Sequence, residues 1–461
     1  MCLIALIKSD YDNHVIFTGD EWDYQSIGVN FYYGYEFLTT GRIKDSTEYK
    51  FKELNNEKIQ FWESASGKKA YYRAPFYPLF ICVIYKAFGI NPLIVKYFQL
   101  FILILSGLLL VFIGKLAWGD SGYTIGSFSS IIFVSLNYRF AGHLMSENWQ
   151  FLFLSIITIC MFYHYKGNKS SSIILGITLG LSCLNKGTTF FLFPLIIIAD
   201  LVYSRTKNRI HWQNMLLFAV AFTVITLLWS VYLSIERDQI TYISSQTGEV
   251  LLDGNNEFCN DGLWHPEWRN IPGSFYNNDN LSGKPMILRV INFYKKNPLH
   301  LLNFPAKIKA GFASIHSFIA TITLFLIFLS EYIYIKSGAI TDNRSRIACK
   351  LFTLSLFCFS ILFWFFSGAL NSILFTTIVF ALFFLIIFFP GRFSEELHLP
   401  FQFLLIFLNF ITFTLAFYVC NETYPGRYVK TMDGIFILIN IYLIFKIFDH
   451  LNHYYIKLRI R

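Results

Sequence analysis

Residues 93–114, LIVKYFQLFILILSGLLLVFIG, decide how this chain is read. The run is long enough to cross a bilayer core, which takes about 20 mostly apolar residues. Lys96 is its single charged side chain. The run is apolar all round. A surface helix would show one apolar stripe, and a barrel strand would alternate polar with apolar. A helix that satisfies its own backbone in lipid fits best. Similar runs recur at 122–136, 148–165, 172–184, 188–203, 213–235, 313–335, 347–367, 370–389, 401–419 and 432–448. The reading therefore predicts an all-α polytopic membrane protein of about 11 spanning helices. The stretch 75–88 is too short to span and reads as an interfacial helix.

The rest of the sequence agrees. Of 461 residues 55% are apolar and only 15% charged, with 52 Phe and 28 Tyr. Soluble proteins carry about 25% charged residues, so a free cytosolic enzyme is excluded. High hydrophobicity with modest net charge excludes disorder. The net charge of +9 suits cytoplasmic loops facing anionic lipid. No basic run interleaved with aromatic residues supports a nucleic-acid partner. Five cysteines lie within apolar stretches, whereas Cys259 and Cys420 lie in polar loops and can pair.

Positive charge orients the spans. Lys115, Lys166, Lys169, the Arg205–Arg209 group, the 336–350 loop, Arg392 and the C-terminal tail fall on one side. Arg139, Lys186, Arg427 and Lys430 fall on the other, which the positive-inside rule makes the outer face. The expected segments are a first outer loop (1–92), N-terminal spans (93–235), a second outer loop (236–312) and C-terminal spans (313–461). Residues 1–7 are apolar but too short to span. Either the chain starts outside or a first spanning helix is missing before it.

The outer face carries the candidate chemistry. GDEWDY (19–24) crowds Asp20, Glu21 and Asp23 into four residues, and one of them can serve as a proton acceptor. An exposed turn capping a helix is the plainer alternative. YYRAPFYPLF (71–80) brings Arg73, whose guanidinium can hold a phosphate bidentately, and Tyr77. HLMSENW (143–149) places Glu147 at a helix start, and Lys186 sits at the tip of the 172–203 hairpin. GNNEFCNDGLWHPEW (254–268) offers Trp264, His265 and Glu267 for stacking on or bonding to sugar. PGRY (425–428) adds Arg427 and Tyr428 at the membrane surface.

Together GDEWDY, YYRAPFYPLF, the SEN and GNN loops and PGRY resemble the GT-C glycosyltransferases. The group concerned contains the protein O-mannosyltransferases and the lipid A aminoarabinose transferases (family 39-like). The resemblance runs from about residue 18 to 435. It implies transfer of a sugar from a polyprenyl-phosphate donor to a hydroxyl on a lipid-linked glycan, lipid A, O-antigen or protein. Asp20 matches the acidic catalytic position and Glu21 its partner. Arg73, Lys186, Arg427 and Tyr428 are expected at the donor phosphate. Asp23, Tyr24, Tyr77, Glu147, Trp264, His265 and Glu267 are expected to contact sugar or acceptor. Lys186-Gly187 stands where relatives commonly show Arg-Pro. The implied setting is a bacterial inner membrane with the site facing the periplasm. A divalent metal is left open. The alternatives are an O-antigen or oligosaccharide polymerase or ligase, and a lipid-sugar flippase that forms no bond.

Overall fold

The computed structural model describes residues 20–34, 38–39, 68–69, 71–207, 212–238, 240–244, 251–252, 254–259, 286–303, 307 and 431–460. These are mostly helical. Helix α1 (Asp20–Tyr32) is followed by a two-residue antiparallel pair, β1 (Leu38–Thr39) and β2 (Lys68–Lys69), with Leu38 opposite Lys69. Then come α2 (Phe76–Phe88), α3 (Pro92–Asn137), α4 (Glu147–Tyr165), α5 (Lys169–Asn185), α6 (Leu192–Lys207) and α7 (Trp212–Glu236). Helices α8 (Met286–Lys296) and α9 (Asp433–Ile460) complete the described set. Short 3-10 turns occur at Phe140–Gly142, Gly187–Phe191 and Pro298–Asn303.

Helix α3 begins with Asn91, whose side chain accepts from the Leu93 amide, and with Pro92, whose missing N–H costs nothing in a first turn. It is not one rod. Trp118 and Gly119 leave the helical region, and Gly119 has φ 64°, which a glycine adopts without strain. A Cβ added at Gly114 would lie 2.4 Å from the Gly122 carbonyl, and one at Gly126 would lie 2.5 Å from the Val111 Cα. Bare backbone is thus what lets the second half fold back along the first. The two halves correspond to the predicted runs 93–114 and 122–136.

Among the described residues, two helices, α3 and α7, are long and apolar enough to cross a membrane. Helix α7 is dressed inside out relative to a soluble protein. Its exposed side carries Leu216, Val220, Val224, Leu228, Val231 and Ile235, while Asn214, Thr226 and Ser230 are buried. Helices α4, α5 and α6 and the start of α9 coincide with the predicted runs 148–165, 172–184, 188–203 and 432–448. The expected spans 313–335, 347–367, 370–389 and 401–419 lie outside the described residues.

By compactness the chain forms two units, each discontinuous in sequence, so the boundaries cut across the four expected segments. One unit comprises Met1–Leu109, Ile131–Phe190 and Trp212–Thr247, and the other Leu110–Ser130, Phe191–His211 and Gly248–Arg461. In the first unit, α1 lies on α2 at Gly28, where a Cβ would come within 2.5 Å of Ile81 Cγ2. The buried stripe of α2 is Tyr77, Ile81, Ile84 and Tyr85, the i, i+4, i+7, i+8 spacing of one helix face. Its other side exposes Leu79, Val83 and Phe88, as an interfacial helix would. Helix α4 meets α2 through Trp149 and Phe153 edge-on to or tilted against Phe76 and Phe80. Helix α5 packs on α7 at Gly176 and Gly180, which admit Phe218, Phe222 and Ile225. In the second unit, Trp118 stacks on Tyr442 of α9, ring centroids 4.1 Å apart.

Candidate functional site

The acidic residues of GDEWDY open helix α1, where carboxylates favour the positive end of the helix dipole. They are neither a solvated turn nor an uncompensated cluster. Glu21 and Asp23 are buried, and Asp20 is the most exposed of the three, with its side chain 21% accessible against 5% for Glu21 and 3% for Asp23. Arg73, just ahead of α2, reaches all the way in. One guanidinium nitrogen pairs with both Asp20 and Asp23, at 2.6 Å from Asp23 Oδ2, and its Nε donates to the same Asp23 oxygen at 3.2 Å. Burial alone would push the Arg73 guanidinium toward losing its proton. The carboxylates of Asp20 and Asp23, with Tyr24 beside them, more than offset that and hold it cationic, well above the usual range.

Glu21 turns the other way. Its Oε1 lies 2.7 Å from His143 Nδ1. The connection that carries His143 is itself fixed: the buried Gln99 amide donates to the carbonyls of Ala141 (2.8 Å) and His143 (2.7 Å). Gln99 in turn accepts from the Tyr77 hydroxyl. Burial, with Glu21 nearby, pushes the Tyr77 phenol well up, so it remains a donor. A second ion pair lies where α4 begins and α5 ends. Lys186 Nζ donates to the fully buried Glu147 at 2.8 Å. Beside it Asn185 donates to the Ser146 carbonyl at 2.8 Å, and Gln150 to Ser182 and Thr189. The Tyr24 hydroxyl contacts Ser146 Oγ at 3.4 Å. Tyr71 donates to Glu236, at the end of α7, at 2.7 Å.

These contacts gather the starts of α1, α2 and α4 and the ends of α3, α5 and α7 at one end of the first unit. It is the end that the charge bookkeeping assigns outside. Asp20, Glu21, Asp23, Arg73, Glu147 and Lys186 are all there, although residues 20 and 186 stand far apart in sequence. The expected site residues lie at different depths in this cluster. Asp23, Tyr24, Tyr77 and Glu147, expected against sugar, are 2%, 6%, 0% and 0% exposed. They form the layer beneath the surface, because a buried helix end needs its charges paired and its rings packed; Tyr24 lies edge-on to Tyr77, centroids 4.9 Å apart. Arg73 and Lys186, expected at a phosphate, are each engaged by carboxylates. Trp264, His265, Glu267, Arg427 and Tyr428 lie outside the described residues.

Sequence reasoning passed over His143 and Gln99. His143 stood inside HLMSENW, but its partner Glu21 is far away in the chain, and no local pattern announces that pairing. Among the described residues no group of three or more His, Cys, Asp or Glu side chains is arranged to hold a metal ion. A cavity of about 560 Å³ runs along α7, lined by Leu227, Val231, Ile235, Asp238 and Thr241 among others, and none of the clustered charges lines it.

The second unit holds a different polar centre. Lys307 is buried and donates to the Gly254 carbonyl and, at 3.0 Å, to Asn255 Oδ1, which also accepts from Tyr294 at 2.6 Å. Burial pushes the Lys307 ammonium down to about 7. Cys259, at the end of this loop, is disulfide-bonded; Cys420, with which it could pair, lies outside the described residues.

No family model, curated protein or solved structure matches this chain.

Proposed function

We propose that the chain is an integral-membrane glycosyltransferase of the GT-C kind, which takes a sugar from a polyprenyl-phosphate donor at the outer face of a bacterial inner membrane. The observation that carries the reading is the meeting of the acidic segment with Arg73, His143 and the Glu147–Lys186 pair at one end of the helices. Burying this many charges is costly, and a fold that needed only stability would do as well with apolar side chains there. The inside-out dressing of α7 supports a lipid setting. The disulfide at Cys259 supports an oxidising compartment for the 236–312 loop, which is the side that positive charge makes outer.

In this reading the acceptor hydroxyl attacks the anomeric carbon and Asp20 takes its proton. The bond from that carbon to the phosphate oxygen breaks with its electron pair, and polyprenyl phosphate leaves. Direct displacement inverts the anomeric centre. Asp20 suits the task as the most accessible carboxylate of the three. Arg73 has two employments. At rest it pairs with both Asp20 and Asp23; a donor phosphate competes for it, and Asp20 is released toward the acceptor as the phosphate binds.

The test is Asp20→Asn in membranes supplied with radiolabelled polyprenyl-phosphate sugars. Transfer should fall by about 100-fold or more. A folded variant that transfers undiminished removes Asp20 as the proton acceptor. Turnover of pyrophosphate-linked donors alone would favour a polymerase or ligase. Movement of the lipid across the bilayer without a new glycosidic bond would favour a flippase.

A further inference from the structure

The clustered site contains an imidazole with both ends fixed. Glu21, itself buried, holds His143 Nδ1 at 2.7 Å, and Gln99 holds the His143 carbonyl at 2.7 Å. The ring is nonetheless 46% exposed, while the carboxylate that orients it is 5% exposed. A surface histidine serving only to fill space needs neither a buried carboxylate nor a pinned backbone. A carboxylate on one ring nitrogen orients the ring, and its exposed edge can then act on a substrate. We propose that His143, oriented by Glu21, is the proton donor to the departing phosphate. This deepens the glycosyl-transfer reading and rests on it.

The charge distribution points the same way. Asp20, Glu21, Asp23 and Glu147 face Arg73, Lys186 and Lys96, the last within electrostatic reach of Glu21. Arg73 and Lys186 are thus already engaged by carboxylates, and a second negative charge on the leaving group would compete with those carboxylates for them. Protonation removes that charge. The second proton of a phosphate monoester binds near pH ~6, so the departing group can take up a proton from an acid placed beside it.

The step balances. The carbon–oxygen bond to phosphate breaks, its electron pair goes to the phosphate oxygen, and that oxygen takes the Nε2 proton. The products are the glycoside and the polyprenyl phosphate monoanion. His143 regains a proton from solvent, and Asp20 gives one up. Among the described residues the charged groups near His143 include Glu21 from α1 and, through Glu21, Lys96 from α3; Arg139 precedes it on its own connection. His143 must be protonated and Asp20 ionised, so activity should decline on the alkaline side through the imidazole and on the acid side through the carboxylate.

The experiment uses the full chain in proteoliposomes with radiolabelled polyprenyl-phosphate hexoses and aminopentose, and it reads release of polyprenyl phosphate against pH. His143→Gln should lower release about 100-fold near pH ~6.5 and abolish the alkaline limb. His143→Ala should regain activity with added imidazole, which a packing role cannot explain. Glu21→Gln, which keeps the ring but not its anionic partner, should lower release less than His143→Gln does. Wild-type release with no alkaline limb, or a folded His143→Gln variant with the wild-type rate and profile, overturns this proposal and leaves the glycosyl-transfer reading standing. So does a His143→Ala loss that imidazole fails to rescue. No release by the wild type from any of these donors overturns the reading itself, and the proposal with it.

Discussion

The helix-end cluster of the first unit and the Lys307 loop of the second solve one problem in opposite ways. Both bury cations. Around Arg73 and Lys186 the partners are carboxylates, so charge meets charge, and Arg73 is held cationic. Around Lys307 a peptide carbonyl and an amide oxygen receive the ammonium, and burial pushes it down to about 7. The first arrangement stores charge that a ligand can redirect. The second ties a loop to itself with a group near the point of giving up its charge. In the proposed reading chemistry belongs with the first and architecture with the second, and each variant below bears on that division.

Arg73→Ala should have the largest effect. It strands two carboxylates, one of them 3% exposed, and breaking a buried pair by removing one partner typically costs about 3–5 kcal/mol. Thermal unfolding in detergent should show the loss. Arg73→Lys should recover part of the stability, because it keeps the charge, and little of the activity, because an ammonium cannot fork between Asp20 and Asp23. Equal recovery of both would make Arg73 architectural and blur the contrast.

Cys259→Ser comes next. Losing a native disulfide removes roughly 2–4 kcal/mol, and the melt of a reduced sample should match that of the variant. If the loop is architecture, the residual folded protein should keep its donor turnover.

How far the sequence reveals all this depends on the distance over which each feature is encoded. The α3 hairpin is legible because everything it needs is local: two apolar runs with Gly114, Gly119, Gly122 and Gly126 near the bend. The acidic segment and Arg73 are legible as chemistry-bearing residue types, but their mutual pairing is not, since it depends on how α1 meets the start of α2. His143, Gln99 and Lys307 are illegible for the same reason carried further. A lone histidine, a glutamine inside an apolar run and a lysine in a loop acquire meaning only when Glu21, Ala141 and Gly254 arrive from elsewhere in the chain. The exposure of the tyrosines misleads for another reason: near a membrane surface an aromatic residue suits a sugar, a headgroup or a packed helix end equally well.

Lys307 gives a pH test of the comparison. The unfolded chain keeps this proton up to its usual 10.5, whereas the folded chain releases it at about 7. Unfolding therefore takes up a proton between those values, and stability should rise with pH across that window and be lost as pH falls toward 7. Between pH 7 and 9 the gain is roughly 2–3 kcal/mol. Lys307→Met should flatten that slope in melts taken at pH 6.5, 8 and 9.5. A slope that survives in the variant would assign the titration to another group.

The smallest effect should come from Tyr77→Phe, and it tests whether the layer beneath the charged cluster matters to the surface above. The ring stays, so the packing against Tyr24 is kept, and the cost is the hydrogen bond to Gln99, about 1 kcal/mol. Gln99 then loses its anchor while still holding the Ala141 and His143 carbonyls, so its amide is free to turn and the connection to loosen. A change this slight in stability should weaken donor turnover more than it lowers the melting temperature, because the imidazole is aimed by the backbone that Gln99 fixes. Glu147→Gln is the control from the neighbouring ion pair: it should cost more stability, since Lys186 loses its carboxylate, yet leave the position of His143 alone. If the two variants lose activity only in proportion to stability, the pinned connection is scaffolding. A disproportionate loss in Tyr77→Phe alone marks it as the part of the buried layer that serves the chemistry.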